Sequence, residues 1–193
     1  MNVTNIKVFN IQSALEGMRN PLESWAKGDT KDGIIGPKDM VLAKSLIKGG
    51  TEHRKFLRQI FVSMYIQAPM YWFAELDTYK IGTTRNSTSF MHTGLKQPFV
   101  LGDFAHSKDN EYWLNNINYL NKLREEYNTT KSPEIFEELR SFLPSGFIYG
   151  STLTMNYENV LNMINQRKNH RLSEWRELCK ILMDLPYIKD FYS

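Results

Sequence analysis

Residues 60–69, Ile60-Phe61-Val62-Ser63-Met64-Tyr65-Ile66-Gln67-Ala68-Pro69, decide how this chain folds. β-Branched and aromatic residues dominate the first seven positions, the composition of a β-strand. The run therefore predicts a central strand. Ala68-Pro69 breaks it, since proline has no N–H for a sheet ladder, and residues 70–76 have room for a helical turn or two.

Upstream, residues 6–11 alternate as a strand does, and residues 13–18 start a short helix that stops near Asn20-Pro21. Residues 28–36 read as a polar loop. Pro37 then opens a helix whose Met40, Leu42, Ala43, Leu46 and Ile47 share one face. Downstream, residues 82–94 are crowded with Thr, Ser, Asn and Gly, which predicts a loop with caps. Residues 110–127 place Trp113, Ile117, Leu120 and Leu123 at helical spacing, and Ser132-Pro133 supplies an N-cap and first turn for a helix ending at Leu143-Pro144. A strand over 147–155 and helices over 157–166 and 172–185 follow. The expected fold is α+β: one domain over residues 1–193, a small twisted antiparallel sheet wrapped by helices.

Composition narrows the function classes. With 193 residues and 41% hydrophobic residues the chain can bury one substantial core. The net charge of +3, from 24 Lys+Arg against 21 Asp+Glu, is not gathered into a dense basic run. Nucleic-acid and membrane binding are therefore not expected, and an anionic small molecule held by a few arginines fits better. Aromatic residues, at 13%, supply core and flat surfaces for stacking.

Cys179 is the only cysteine, which excludes an internal disulfide and multi-cysteine metal clusters. Its neighbours Leu178, Ile181 and Leu182 place it in an apolar pattern and predict a buried thiol. The four histidines lack metal-ligand spacing, so no metal site is expected. No secretory pattern and no apolar segment of about 20 residues is present, which predicts a cytoplasmic protein.

Three clusters carry possible chemistry. Arg140-Ser141-Phe142-Leu143-Pro144 places an arginine at a helix end, where it also complements the helix dipole. Asn162, Arg167, Asn169, His170 and Arg171 crowd cations and amides into ten residues; guanidinium forks suit phosphates and planar bases. Asp77-Thr78-Tyr79-Lys80 and the following Arg85-Asn86-Ser87-Thr88-Ser89 offer hydroxyls, amides and backbone N–H groups for an anion, or a solvated loop.

In that order the clusters resemble the flavin-dependent thymidylate synthases. Ala68-Pro69 ends a strand, Arg140-Ser141-Phe142-Leu143-Pro144 matches an Arg-x-x-Leu-Pro turn, and Asn156, Asn162 and Arg167 match an Asn-x5-Asn-x4-Arg run. Glu52-His53 matches a Glu-His pair further upstream. The likeness spans roughly residues 50 to 185. The family's Arg-His-Arg is Thr78-Tyr79-Lys80 here, or Asp77-Thr78-Tyr79 with a slip of one, and the acidic residue and last arginine of its loop are missing.

The resemblance implies a homotetrameric enzyme acting on a dUMP-like pyrimidine nucleotide with FAD, with NADPH and methylenetetrahydrofolate as co-substrates. It implies nucleotide contacts from Arg140, Arg167, Arg85, Asn86, Ser87 and Ser89, and flavin contacts from His53, Tyr79, Lys80, Asn162 and Arg171. No catalytic side chain is implied. Two other readings stand beside it: a non-catalytic nucleotide-binding or regulatory protein on the same fold, and an interaction module using the basic C-terminal helix.

Overall fold

The computed structural model describes residues 1–192. Its centre is an antiparallel four-stranded sheet of order β1-β2-β4-β3, with β1 at Asn2–Phe9, β2 at Phe61–Pro69, β3 at Thr83–Ser87 and β4 at Ile148–Asn156. The central position expected for 60–66 is the one found: β2 pairs with β1 on one side and β4 on the other, in register from Phe61↔Asn156 to Pro69↔Ile148. Successive side chains of a strand point to opposite faces. Val62, Met64, Ile66 and Ala68 are accordingly buried, while Phe61, Ser63, Tyr65 and Gln67 line the other face.

The helices are α1 (Ile11–Gly17), α2 (Pro37–Lys48), α3 (Met70–Leu76), α4 (Phe90–Thr93), α5 (Glu111–Thr130), α6 (Pro133–Phe142), α7 (Tyr157–Arg167), α8 (Ser173–Met183) and α9 (Ile188–Tyr192). Capping residues set several boundaries. Asn110 Oδ1 accepts from Trp113 N at 3.1 Å, Ser132 Oγ from Ile135 N at 3.4 Å, and Asn156 Oδ1 from Asn159 N at 2.9 Å, so each occupies one of the N–H groups a helix start leaves open. Asn156, the first asparagine of the Asn-x5-Asn-x4-Arg run, thus has a structural task at the head of α7.

Two apolar clusters hold the layers together. One lies beneath the sheet, where Val62, Met64, Ile66, Leu153 and Met155 meet Trp72, Leu161, Trp175 and Leu178. The other lies between α5, α6 and the segment before them, built on Leu95, Phe99, Phe104, Ile117, Leu120, Leu123 and Leu139. Among the described residues no helix is long and apolar enough to cross a membrane.

The structure differs from the sequence reading in several places: β2 runs on through Ala68-Pro69, α4 lies inside the expected 82–94 loop, and α9 follows the last expected helix. Residues 83–87, expected as loop, form edge strand β3, registered Thr83↔Met155 to Ser87↔Ser151. Thr83 and Thr84 suit a strand, and Arg85, Asn86 and Ser87 are tolerated because an edge strand needs only one partner, which the open side of β4 supplies. The first strand starts at Asn2 rather than near Ile6, and it carries a bulge between Thr4 and Lys7 with Asn5 at φ 53°.

Candidate functional site

β3 and β4 form one wall of a cavity of about 860 Å³; α4, α6 and residues 97–103 form the other. The helical wall is aromatic. Phe147 meets Phe90 at 5.5 Å and Phe99 at 6.0 Å between ring centroids. The sheet wall is polar, with Gln67, Arg85, Ser87 and Tyr149. One apolar face opposite hydrogen-bonding groups is the arrangement that holds a flat polar ligand.

Two guanidinium groups reach this cavity. Arg140, at the last turn of α6, lies over the Phe90 ring at 4.7 Å. No carboxylate of the described residues ion-pairs with it within 4.0 Å, so its donors are available to an anion. Arg85, on β3, is held from three directions. Its guanidinium lies 5.0 Å from the Phe73 centroid, donates from Nη1 to the Tyr149 hydroxyl at 2.9 Å, and faces Asp77 Oδ1 at 3.4 Å. Burial pushes the Tyr149 phenol up, and the charge of Arg85 only partly offsets this.

Near Arg85, Ser87 lines the cavity and its hydroxyl pairs with Ser151 Oγ at 3.0 Å. Asn86 is an exposed residue of β3, and Ser89 is exposed at the head of α4, where its carbonyl accepts from Thr93 Oγ1.

Arg167 does not line this cavity. At the end of α7 it donates from Nε to the Tyr79 hydroxyl at 3.1 Å, lies 5.1 Å from the Trp175 centroid and faces Glu75 Oε2 at 4.0 Å. Tyr79 in turn donates to Gln166 at 2.7 Å. Lys80 and Arg171 are exposed.

His53 borders a separate groove of about 1060 Å³, whose floor includes Met18, Leu46 and Phe56 and whose rim includes Lys27, Lys38 and Lys55. Asn162 lies apart from both, accepting from Arg54 Nη2 at 3.4 Å. Beside it Glu158 receives Arg54 at 3.1 Å and Arg58 at 2.5 Å. Burial raises the Glu158 carboxyl, but the hydrogen bonds of Arg58 and Arg54 outweigh it and hold its pKa below the usual value. Within one chain, then, Arg85, Ser87 and Arg140 share a cavity, whereas Arg167, His53 and Asn162 occupy three other places.

No family model matches the chain, and no curated protein matches it in sequence. Solved structures do match in shape. The flavin-dependent thymidylate synthase ThyX of Helicobacter pylori, complexed with FAD and dUMP, superposes with a TM-score of 0.75 over 99% of this chain and 98% of its own, at 18% identity. A second structure of that enzyme, also with FAD and dUMP, gives 0.75 at 19% identity over 100% and 97%. The chain has the flavin-dependent thymidylate synthase fold. The UMP/dUMP methylase PolB of Streptomyces cacaoi, bound with 5-Br dUMP, follows with a TM-score of 0.64, 13% identity, and coverage of 99% and 93%.

On this thymidylate synthase fold, several cavity residues carry no sequence signal of their own. Tyr65 is read there only as part of a β-rich strand and Phe147 only as the start of another, while Gln67 and Phe99 are not singled out. One signal was available. Gly150 interrupts a β-rich run, and glycine inside a strand marks close approach; the Tyr65 phenol fills the space above it.

Proposed function

We propose that the chain is a flavin-dependent enzyme that modifies a dUMP-like pyrimidine nucleoside monophosphate, its substrate seated in the cavity between β3–β4 and α4–α6. The observation that carries this reading is the pair Arg85 and Arg140 on one aromatic-walled cavity, on a fold shared with proteins crystallised with dUMP. Arg140 supplies open donors for a phosphate, the stacked phenylalanines a face for a planar base, and Ser87 and Thr88 hydroxyls for sugar or phosphate oxygens. Asn86, on the face of β3 opposite Arg85 and Ser87, and Ser89 are outside the cavity lining and are not assigned a contact there.

The groove beside His53 suits a flavin in chemistry: an apolar floor for the flat ring and lysines for a pyrophosphate. His53 would hold FAD there, with Tyr79, Lys80, Asn162, Arg167 and Arg171 reaching flavin or base across subunits of a homotetramer. A bound flavin would carry the redox chemistry, with NADPH as reductant and methylenetetrahydrofolate as one-carbon donor. The protein's share is to bind, orient and exclude water.

Absorbance of the purified protein between about 350 and 500 nm, with and without added FAD, tests the flavin, whose conjugated ring absorbs there. Calorimetry with dUMP tests the nucleotide, with Arg140→Ala expected to weaken it by at least about tenfold, the scale of one charge-assisted pair. No flavin signal together with no dUMP binding would sink the proposal.

A second reading, a nucleotide-binding protein without catalysis, draws support from Tyr79 and Arg167: their mutual hydrogen bond and the Glu75 partner occupy groups the enzyme would need. It is favoured if dUMP binds while no tritium is released from C5 of labelled nucleotide in the presence of FAD, NADPH and the folate.

A further inference from the structure

The cavity holds a carboxylate that a phosphate site has no evident use for. Asp77 lines it together with Arg85 and Arg140, and its Oδ1 stands 3.4 Å from Arg85 Nη2. Its place in the chain sharpens the point. Asp77 is the C-cap of α3, following Leu76, and exposed carbonyls at a helix C-terminus disfavour an anion. Asp77 also opens the short 3₁₀ turn Asp77–Tyr79, where a negative side chain is tolerated, so local helix structure accounts for it only in part. For Arg85, Asp77 is one of three groups that hold the guanidinium, beside the Phe73 ring and the Tyr149 hydroxyl. What Asp77 adds to the cavity is negative charge beside the cation that a phosphate would approach.

Size does not set the length of the phosphate chain. At about 860 Å³ the cavity lies in the upper part of the range for small-molecule sites, roughly 300–1,000 Å³. Repulsion from a fixed carboxylate grows with each charge the ligand brings, while the attraction of Arg85 is partly cancelled by its own partner. Asp103, the other carboxylate on the cavity, is turned to the backbone and accepts from Val100 N at 2.9 Å.

We propose that Asp77 is a specificity-determining residue: by sharing the cavity with Arg85 it makes the site favour nucleoside monophosphates over di- and triphosphates. The inference rests on the nucleotide reading above and names the residue that enforces its monophosphate.

Titrate dUMP, dUDP, dUTP, deoxyuridine and inorganic pyrophosphate, without divalent metal, into wild type, Asp77→Asn and Asp77→Glu. Asp77→Asn is expected to tighten dUTP by roughly tenfold and dUMP by less, in low salt where the charges are unscreened. Deoxyuridine affinity stays unchanged, Asp77→Glu keeps the wild-type order, and 0.5 M salt, at a Debye length near ~4 Å, shrinks the differences. In an Arg85→Gln background Asp77→Asn still favours the longer phosphates, because the carboxylate repels them directly. Should Asp77→Asn fail to fold, Asp77→Ser carries the same expectation.

Equal ratios across the phosphate series in wild type and Asp77→Asn overturn the inference, as does an equal gain for deoxyuridine. Failure of every phosphate ligand to bind any variant overturns it too. If dUMP does not bind but pyrophosphate does, and Asp77→Asn tightens it, the pyrimidine reading falls while the role of Asp77 stands.

Discussion

The Tyr65 phenol lies over Gly150 of the neighbouring strand, in the space that a side chain at 150 would fill. The two are diagonal neighbours, because Tyr65 pairs with Thr152 and Gly150 with Gln67. Gly150→Ala therefore drives a methyl group into an aromatic ring on the cavity wall. A loss of about 1–3 kcal/mol is expected from such overpacking, read from the urea midpoint at constant slope. In a Tyr65→Ala background the obstructing ring is gone, and the same substitution should cost much less. Equal costs in the two backgrounds would mean that the ring swings away freely.

Arg19 and Asp39 form the most buried ion pair, with side chains 6% and 3% exposed and Nη2 to Oδ1 at 2.5 Å. Asp39 also accepts from Thr30 N at 2.8 Å, Thr30 Oγ1 at 2.6 Å and Asp29 N at 3.0 Å, pinning the 29–36 loop to α2. Asp39→Ala leaves a buried guanidinium without its partner and should destabilise by about 3–5 kcal/mol. Burial raises the Asp39 carboxyl, but the bonds from Thr30, Asp29 and Arg19 outweigh it and hold the pKa below 3.8. Glu158 and Glu174 are likewise held below 4.5. A pKa lower in the folded state means stability fully present above the unfolded value and lost as pH falls through the folded one. Urea midpoints should hold above about pH 5 and fall toward pH 3, with a shallower acid limb in Asp39→Ala. A midpoint flat over that window contradicts the assignment.

Much of the architecture was legible because pattern and burial agree. β2 is β-rich in sequence and central in the sheet, α5 buries Ile117, Leu120 and Leu123 at helical spacing, and Ser132 is a cap in sequence and in structure alike. β3 was illegible because only Thr83 and Thr84 of Thr83–Ser87 favour a strand, amid turn-forming Gly, Asn and Ser; the open edge of β4 makes it one. The site was legible in part for a related reason. Arg85, Ser87 and Arg140 stand out by residue type, and one cavity gathers them. Asp77 was noticed as part of a polar cluster, but its bearing on Arg85 depends on how β3 crosses the end of α3. Arg167 reads from sequence as a free ligand group, yet its partners Glu75 and Tyr79 lie about ninety residues away, beyond any local pattern.

Asn121 of α5 clamps the cavity wall. Its Oδ1 accepts from Phe99 N at 2.7 Å and its Nδ2 donates to the Phe99 carbonyl at 3.0 Å. Both bonds are lost in Asn121→Ala, leaving a part-buried N–H unmatched, at a cost of about 1–3 kcal/mol. Amide exchange should quicken at Phe99 and its neighbours while β2 and β4 keep their protection. Asn121→Asp retains the acceptor and loses the donor, so its effect should fall between the two. Uniform quickening across the sheet would show that the clamp supports the whole fold rather than the wall.

Cys179 tests the packing of α8 on α7. Its thiol is 3% exposed and points at the Met163 carbonyl at 3.8 Å. Burial pushes its pKa up to about 11, against a partial downward pull from the Arg167 charge. Thiolate is the reactive form, so at pH 8 about a thousandth of folded molecules carry it, against about a quarter of an unfolded thiol near 8.5. Iodoacetamide at pH 8 should leave the native protein unmodified over hours and label it fully in denaturant, with mass spectrometry as the readout. The labelling rate at rising urea should follow the unfolded fraction rather than the bulk thiolate content. Prompt labelling in native buffer would place the thiol at the surface and separate α8 from α7 at that turn.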